Sequence, residues 1–300
     1  MYHLLLTALL VASQPAGQTI GPTQRPGPTI GPTQTARLPN KPGSLKFAVI
    51  GDSGQPGSGQ TDIAAQMVKW RAQFPFEFVL MMGDNIYGSD RPRDYEKKFA
   101  LPYKPIIDAG VKFYAALGNH DGEGQTNYKL FNMEGRKYYS FKPKGDVRFF
   151  AIDSNYVDAK QLEWLEKDLA ASGSDWKIAF FHHPLYSSGA THGSADAQRE
   201  LLEPMFLKHG VNVVIAGHEH FYERLKPQKG IAYFILGSSA KLRKGDLRKS
   251  ALTAYGNDSD YAFMLVEIDG DNLYFQTISD KGVTLDAGVV TRPKATTTKR

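Results

Sequence analysis

The chain has 300 residues, 41% hydrophobic and 12% aromatic, which suits the core of one ordinary domain plus tails and excludes global disorder and collagen. The absence of cysteine excludes disulfide scaffolds, thiolate zinc sites, iron–sulfur clusters and cysteine nucleophiles. The net charge of +5 comes from the ends: Arg25, Arg37, Lys41, Arg292, Lys294, Lys299 and Arg300 lie in acid-free tails, and setting those seven aside from 36 leaves 29 basic against 31 acidic side chains in 42–291, so no nucleic-acid-binding face is expected.

Residues 1–12 read MYHLLLTALLVA, with small residues at Ser13, Ala16 and Gly17 behind them. That pattern resembles a secretory signal peptide over 1–17, although its start offers His3 in place of Lys or Arg, and a secreted or periplasmic location is expected. No apolar run approaches the ~18 residues of a membrane-spanning helix, so the mature chain is expected to have no transmembrane anchor. Residues 15–42 hold seven of the 17 prolines, and TIGPTQ occurs at 19–24 and again at 29–34. Such sequence cannot bury a core, which predicts a disordered linker over 18–42. A globular domain is expected over 43–284 and a flexible basic tail over 285–300.

Within the domain, apolar runs at 45–50, 76–82, 111–117, 147–152, 176–181 and 211–216 read as buried strands. The segments 61–73 and 158–171 read as helices, the second capped by Asp158 with Leu162, Leu165 and Leu169 on one face. His209 before Gly210 reads as a helix end. A hairpin is expected between 138–141 and 147–152. Later strands fall at 231–236, 262–268 and 273–278, the last two flanking the turn sequence Asp269–Gly270–Asp271–Asn272. The pattern is that of a mixed α/β domain.

The residues directly behind the strands are more specific. The runs end in Gly51–Asp52, Gly83–Asp84–Asn85–Ile86–Tyr87, Gly118–Asn119–His120–Asp121, His182–His183–Pro184 and Gly217–His218–Glu219–His220. Open α/β sheets place their sites beyond the carboxyl ends of strands, so five such ends would gather Asp52, Asp84, Asn119, His182, His218 and His220 at one rim. Six of the eight histidines lie in or just after these runs. Carboxylate and imidazole without thiolate favour Fe, Mn, Zn or Co. So many donors suit two ions sharing one carboxylate, with Asp84 as the expected bridge, an arrangement that polarises a phosphoryl group.

In order, these five blocks resemble the motifs of the calcineurin-like metallophosphoesterases over roughly 45–280. Tyr87, three residues after Asp84, makes the chain most similar to the small, mammalian-type tartrate-resistant purple acid phosphatases. The resemblance implies a four-layer α/β/β/α sandwich of two mixed sheets flanked by helices, with a dinuclear site at the strand ends. It implies that Asp52, Asp84, Tyr87 and His220 hold Fe³⁺, and that Asp84, Asn119, His182 and His218 hold a divalent ion, Fe²⁺, Zn²⁺ or Mn²⁺. His120 and His192 match the family's active-site histidines, expected to bind phosphate and protonate the leaving group, and Asp121 is a candidate to orient His120. His183 competes with His182 as a ligand; His182 is preferred because it ends the strand directly. The small mammalian members carry a disulfide that this chain cannot form.

The expected activity is acid phosphatase hydrolysis of phosphate monoesters through a metal-bound hydroxide. The expected partners are small phosphorylated substrates, with no nucleic acid, and the protein is expected to be monomeric. A phosphodiesterase or nucleotide phosphohydrolase of the same superfamily shares the core motifs, and a secreted non-catalytic protein binding phosphate ligands is the alternative of another class.

Overall fold

A computed structural model of the protein describes residues 29–30 and 37–292. Its first sheet runs in spatial order β1 (Thr29–Ile30), β14 (Thr284–Thr291), β13 (Asn272–Ser279), β12 (Ala262–Asp269), β2 (Leu45–Ile50), β3 (Phe78–Met81) and β4 (Lys112–Ala115). Strands β2, β3 and β4 are parallel, and β12 joins β2 antiparallel to start the meander β12–β13–β14. The second sheet runs β11 (Thr253–Asn257), β9 (Tyr222–Leu225), β10 (Ala232–Leu236), β8 (Val213–Ala216), β7 (Trp176–Phe181), β6 (Val147–Ala151) and β5 (Tyr139–Phe141). Its centre, β10–β8–β7–β6, is parallel, with antiparallel strands at both margins.

The sheets pack face to face through aromatic side chains. Phe149 of β6 meets Phe47 and Phe78 edge-on, with ring centroids 5.2 and 5.4 Å apart, and Phe234 of β10 meets Phe275 of β13 at 5.0 Å. Successive side chains on a strand point to opposite faces. In β7, Ile178 and Phe180 therefore join this inter-sheet core, whereas Ala179 and Phe181 face outward onto Leu165, Leu169, Leu202 and Phe206. Those four residues belong to the helices Ala159–Ala171 and Asp196–His209. On the other side the helix Ser58–Arg71 buries Ile63, Ala64 and Met67. Burial on both faces explains the uninterrupted apolar strands, and helix–sheet–sheet–helix is the four-layer sandwich.

Local chemistry sets the boundaries. The Asp158 carboxylate accepts the Gln161 N–H at 2.8 Å, capping its helix. Gly210, at φ 66°, ends the helix that finishes at His209. Asp269 pairs with Asn272, leaving a two-residue turn in which Gly270 has φ 57°.

Two sequence expectations need correction. The flexible tail does not begin at 285: β14 occupies Thr284–Thr291 beside β13, with Asp286, Ala287 and Val290 buried. Nor is all of 18–42 a free linker. Thr29–Ile30 pairs with β14, and the backbone N–H groups of Asn40 and Lys41 donate to the Glu267 carboxylate at 2.6 and 2.7 Å. The signal-peptide expectation, the TIGPTQ repeats apart from Thr29–Ile30, and the last eight residues lie outside the described residues.

Candidate metal centre

The five strand ends do not form one continuous rim. Strands β2, β3 and β4 bring Asp52, Asp84 and Asn119 from the first sheet, and β7 and β8 bring His182 and His218 from the second. The donors meet where the carboxyl ends of the two sheets face each other. Asp52, Asp84 and His218 all have left-handed backbone, at φ 51°, 52° and 69°. Such conformations are costly outside glycine and persist only where the surroundings enforce them. Gly118 allows a close approach: a Cβ there would land on the Asp84 carboxylate and backbone nitrogen.

Asp52 and Asp84 are almost wholly buried, and neither forms an ion pair with Lys or Arg among the described residues. Asp52 accepts hydrogen bonds from Tyr87 Oη at 3.0 Å and from the His218 N–H at 2.8 Å. Asp84 Oδ1 accepts the His120 N–H at 3.0 Å and lies 3.4 Å from His182 Nε2. His220 Nε2 lies 3.4 Å from both Asp52 Oδ1 and Tyr87 Oη. Asp52, Asp84 and His220 thus offer ligand atoms within 4.8 Å of one another.

A second trio with the same spread is His182, His183 and His218. His182 Nδ1 is bonded to the Met82 carbonyl at 2.9 Å, which turns Nε2 toward Asn119 Oδ1 at 3.0 Å and His218 Nδ1 at 3.1 Å. His183 Nδ1 is tied to Ser154 Oγ at 3.0 Å, leaving Nε2 for this trio. His183, which sequence reasoning ranked behind its neighbour, therefore stands beside His182.

The electrostatics match an intended cation. Burial, with the Asp84 charge next in size, pushes the Asp52 carboxyl well above the usual carboxylate range. Burial and then the Asp52 charge push the Tyr87 phenol up. Burial lowers His182 and His183 and takes His218 down to about 2 and His220 to about 4; Arg243 and Lys241 add to the depression at His220. Neutral imidazoles are the ligand form, and a pair of buried carboxylates without basic partners calls for a metal ion. The donor set of oxygen and imidazole nitrogen, with no sulfur, fits hard or borderline ions such as Fe, Zn and Mn.

The two remaining histidines flank this cluster. The exposed His120 ring lies 4.8 Å from the Tyr87 ring, and the His192 ring lies 4.2 Å from that of His218. Asp121 has a different role from the one expected. Its carboxylate accepts N–H groups from Gly118, Asn85 and Ile86 at 2.8, 3.1 and 3.0 Å, buckling the loops after β3 and β4, and no hydrogen bond joins it to the His120 ring among the described residues. Ser239, just after β10, likewise ties strand ends together: its hydroxyl accepts from the Gly51 N–H at 3.2 Å and donates to the Ala262 carbonyl at 2.8 Å.

Sequence reasoning missed Lys241, whose Nζ sits 4.4 Å from the Tyr87 ring centroid, and Arg243, whose backbone N–H donates to the His220 carbonyl at 3.0 Å. The available signal was the basic run KLRKG close behind β10, a further strand end. Beside the cluster a cavity of about 430 Å³ opens, lined by Asn119, His183, Glu123, Lys137, Asp153 and Tyr156 among others.

Two facing mixed sheets deliver carboxylates, an amide, a phenol and imidazoles to one cleft, a donor set suited to metal ions. A calcineurin-like phosphoesterase family model matches residues 45–222, and the chain belongs to that family. It is 28% identical to purple acid phosphatase 17 of Arabidopsis thaliana, over 68% of this chain and 71% of that one. It is 24% identical to tartrate-resistant acid phosphatase type 5 of Homo sapiens, over 81% and 89%. Purple acid phosphatase PPD1 from yellow lupin seeds superposes with a TM-score of 0.71 at 19% identity, covering 86% of this chain and 55% of that one. GAP50, described as the anchor in the inner membrane complex of Plasmodium, superposes at 0.72 with 20% identity, over 85% and 90%.

Proposed function

We propose that the protein is an acid phosphatase that hydrolyses phosphate monoesters at a dinuclear centre of Fe³⁺ and a divalent ion, Fe²⁺, Zn²⁺ or Mn²⁺. The observation that carries this reading is the buried Asp52–Asp84 pair, which faces neutral imidazoles from the opposite sheet and forms no ion pair with Lys or Arg among the described residues, the Lys241 charge reaching Asp52 only at longer range. Asp52, Tyr87 and His220 would hold the first ion, Asn119, His182 and His218 the second, and Asp84 both. When bound, the two ions would supply Lewis acidity toward the phosphoryl oxygens and activate water.

The other residues bind and move protons. His182 keeps its Nε2 lone pair aimed at the cluster because Nδ1 is tied to the Met82 carbonyl. His120 and His192, on the open side of the cluster, would bind the phosphate oxygens and donate a proton to the departing ester oxygen. Similarity to phosphatases in two kingdoms supports monoester chemistry. Export, read from the apolar start, and a monomeric state belong to the same proposal; N-terminal sequencing and sedimentation of the mature protein test them.

Metal-loaded wild-type protein should release p-nitrophenol from p-nitrophenyl phosphate faster than from bis-p-nitrophenyl phosphate, and His120→Ala should lower that turnover by about 10²-fold or more. Faster turnover of the diester would assign a diesterase instead. Tight phosphate binding with no release from either ester would assign the non-catalytic role.

A further inference from the structure

Five cations lie within the nine residues 241–249, Lys241, Arg243, Lys244, Arg248 and Lys249, against one acid, Asp246. This loop between β10 and β11 is built onto the edge of the metal cluster. On one side, the Lys241 ammonium covers the Tyr87 ring, and that ring touches the His120 ring. On the other, the loop holds the segment that carries His192. The Ala190 N–H donates to the Asp246 carbonyl at 2.9 Å, the Arg248 N–H donates to the Ser188 carbonyl at 3.0 Å, and the Thr191 hydroxyl donates to the Asp246 carboxylate. Lys241 is thus separated from His120 by the Tyr87 ring alone, and Arg243 belongs to the loop that holds the His192 segment.

Most of these charges are not taken up in ion pairs, although Lys241 also acts on Asp52 at longer range. Lys241, Lys244, Arg248 and Lys249 have no ion-pair partner among the described residues. Arg243 reaches only Asp246, at 3.7 Å, and its Nη1 is a buried donor without a hydrogen-bond partner. The opposite side of the cluster differs: the cavity beside Asn119 and His183 carries Glu123 and Asp153 together with Lys137, and Lys137 is paired with Glu123. An anion leaving the metal cluster therefore meets an excess of cations on one side and an excess of carboxylates on the other.

We infer that Lys241 and Arg243 form a subsite for a second anionic group on the substrate, so that the preferred substrates are phosphate monoesters whose alcohol portion carries another phosphate. A planar guanidinium and a point-charge ammonium together suit a phosphate dianion, the first through paired N–H groups and the second through charge. The inference rests on the phosphatase reading and deepens it by naming the substrate class.

Glucose 1,6-bisphosphate and glucose 6-phosphate form a matched pair of probes, with 3-phosphoglycerate and glycerol 3-phosphate as the carboxylate arm. In the metal-loaded full chain at low ionic strength, kcat/KM for the bisphosphate should exceed that for the monophosphate by about tenfold, through KM. Lys241→Ala and Arg243→Ala should each shrink the ratio, Lys241→Arg should keep it, and added salt should lower it. A preference for 3-phosphoglycerate over glycerol 3-phosphate as large as that for the bisphosphate would show a general anion subsite and overturn the assignment to phosphate. A wild-type ratio near one, or a ratio unmoved in both alanine variants, would overturn the subsite itself.

Calorimetric titration of the same sugars into the metal-loaded His120→Ala/His192→Ala chain reads binding without turnover. Tighter binding of the bisphosphate, abolished by adding Lys241→Ala and Arg243→Ala, supports the subsite even where phosphate release is absent and the phosphatase reading has failed. Equal binding of the two sugars overturns it.

Discussion

Asp94 shows how a single carboxylate fastens the loop that presents Tyr87. It accepts hydrogen bonds from the Ser89 hydroxyl at 2.7 Å and from Arg91 Nε at 3.0 Å, and Lys98 Nζ lies 3.4 Å from its other oxygen. Lys98 in turn donates to the Tyr87 carbonyl at 2.6 Å. The Ser89 hydroxyl, followed by Arg91 and Lys98, holds the Asp94 carboxyl well below its ordinary value. A group depressed in the folded state contributes stability that is present above its unfolded pKa and lost as pH falls toward the folded one. Thermal melts should therefore show Asp94→Asn below wild type at neutral pH, with the gap closing under acid below the ordinary carboxylate range. A gap that stays constant with pH would contradict the clamp. At the cluster itself, Gly118→Ala should remove turnover and lower the melting temperature, because the added methyl strikes both the Asp84 carboxylate and its backbone nitrogen. Tyr87→Phe should abolish the visible charge-transfer absorption of iron-loaded protein, and an unchanged band would remove the phenol from the iron.

At the scale of elements, the Asp158 cap should be worth about 1 kcal/mol, read as a lower urea midpoint in Asp158→Ala. That cap, the helix it starts, the β12–β13 turn and the parallel strands were all legible, because local patterning and burial on both faces agree there. β14 was not. Its alternation is broken by Asp286 and Gly288, and both make sense only in three dimensions. Asp286 meets Arg224 and Tyr222 from the other sheet, and a side chain at Gly288 would strike the Phe275 ring. The helix Asp196–His209 was legible only at its end, because Pro204 interrupts the pattern inside it. The strand-end residues that meet at the cluster were legible as a set, since glycine and a donor side chain recur behind strand after strand. Their division between two sheets was not, because adjacency along the chain carries no information on which sheet a strand joins.

Across the whole molecule, the two sheets are joined by a buried ion pair as well as by apolar packing. Arg224 of β9 donates to both oxygens of Asp286 in β14 at 2.7 and 3.1 Å, and Tyr222 adds a third bond at 2.9 Å. Asp286→Ala should cost about 3–5 kcal/mol by stranding the guanidinium, and truncation before β14 should yield insoluble chain; soluble, fully active truncated protein would contradict the placement of this strand in the core sheet. Because each sheet supplies only part of the ligand set, sheet packing and metal binding are expected to be linked, each stabilising the other. The most direct test is the metal content of the folded, purified chain. Two ions per chain in wild type, with at least one lost in Asp84→Ala, is the expected result; a single ion in wild type, or two ions retained without the Asp84 carboxylate, would contradict a centre that this residue bridges.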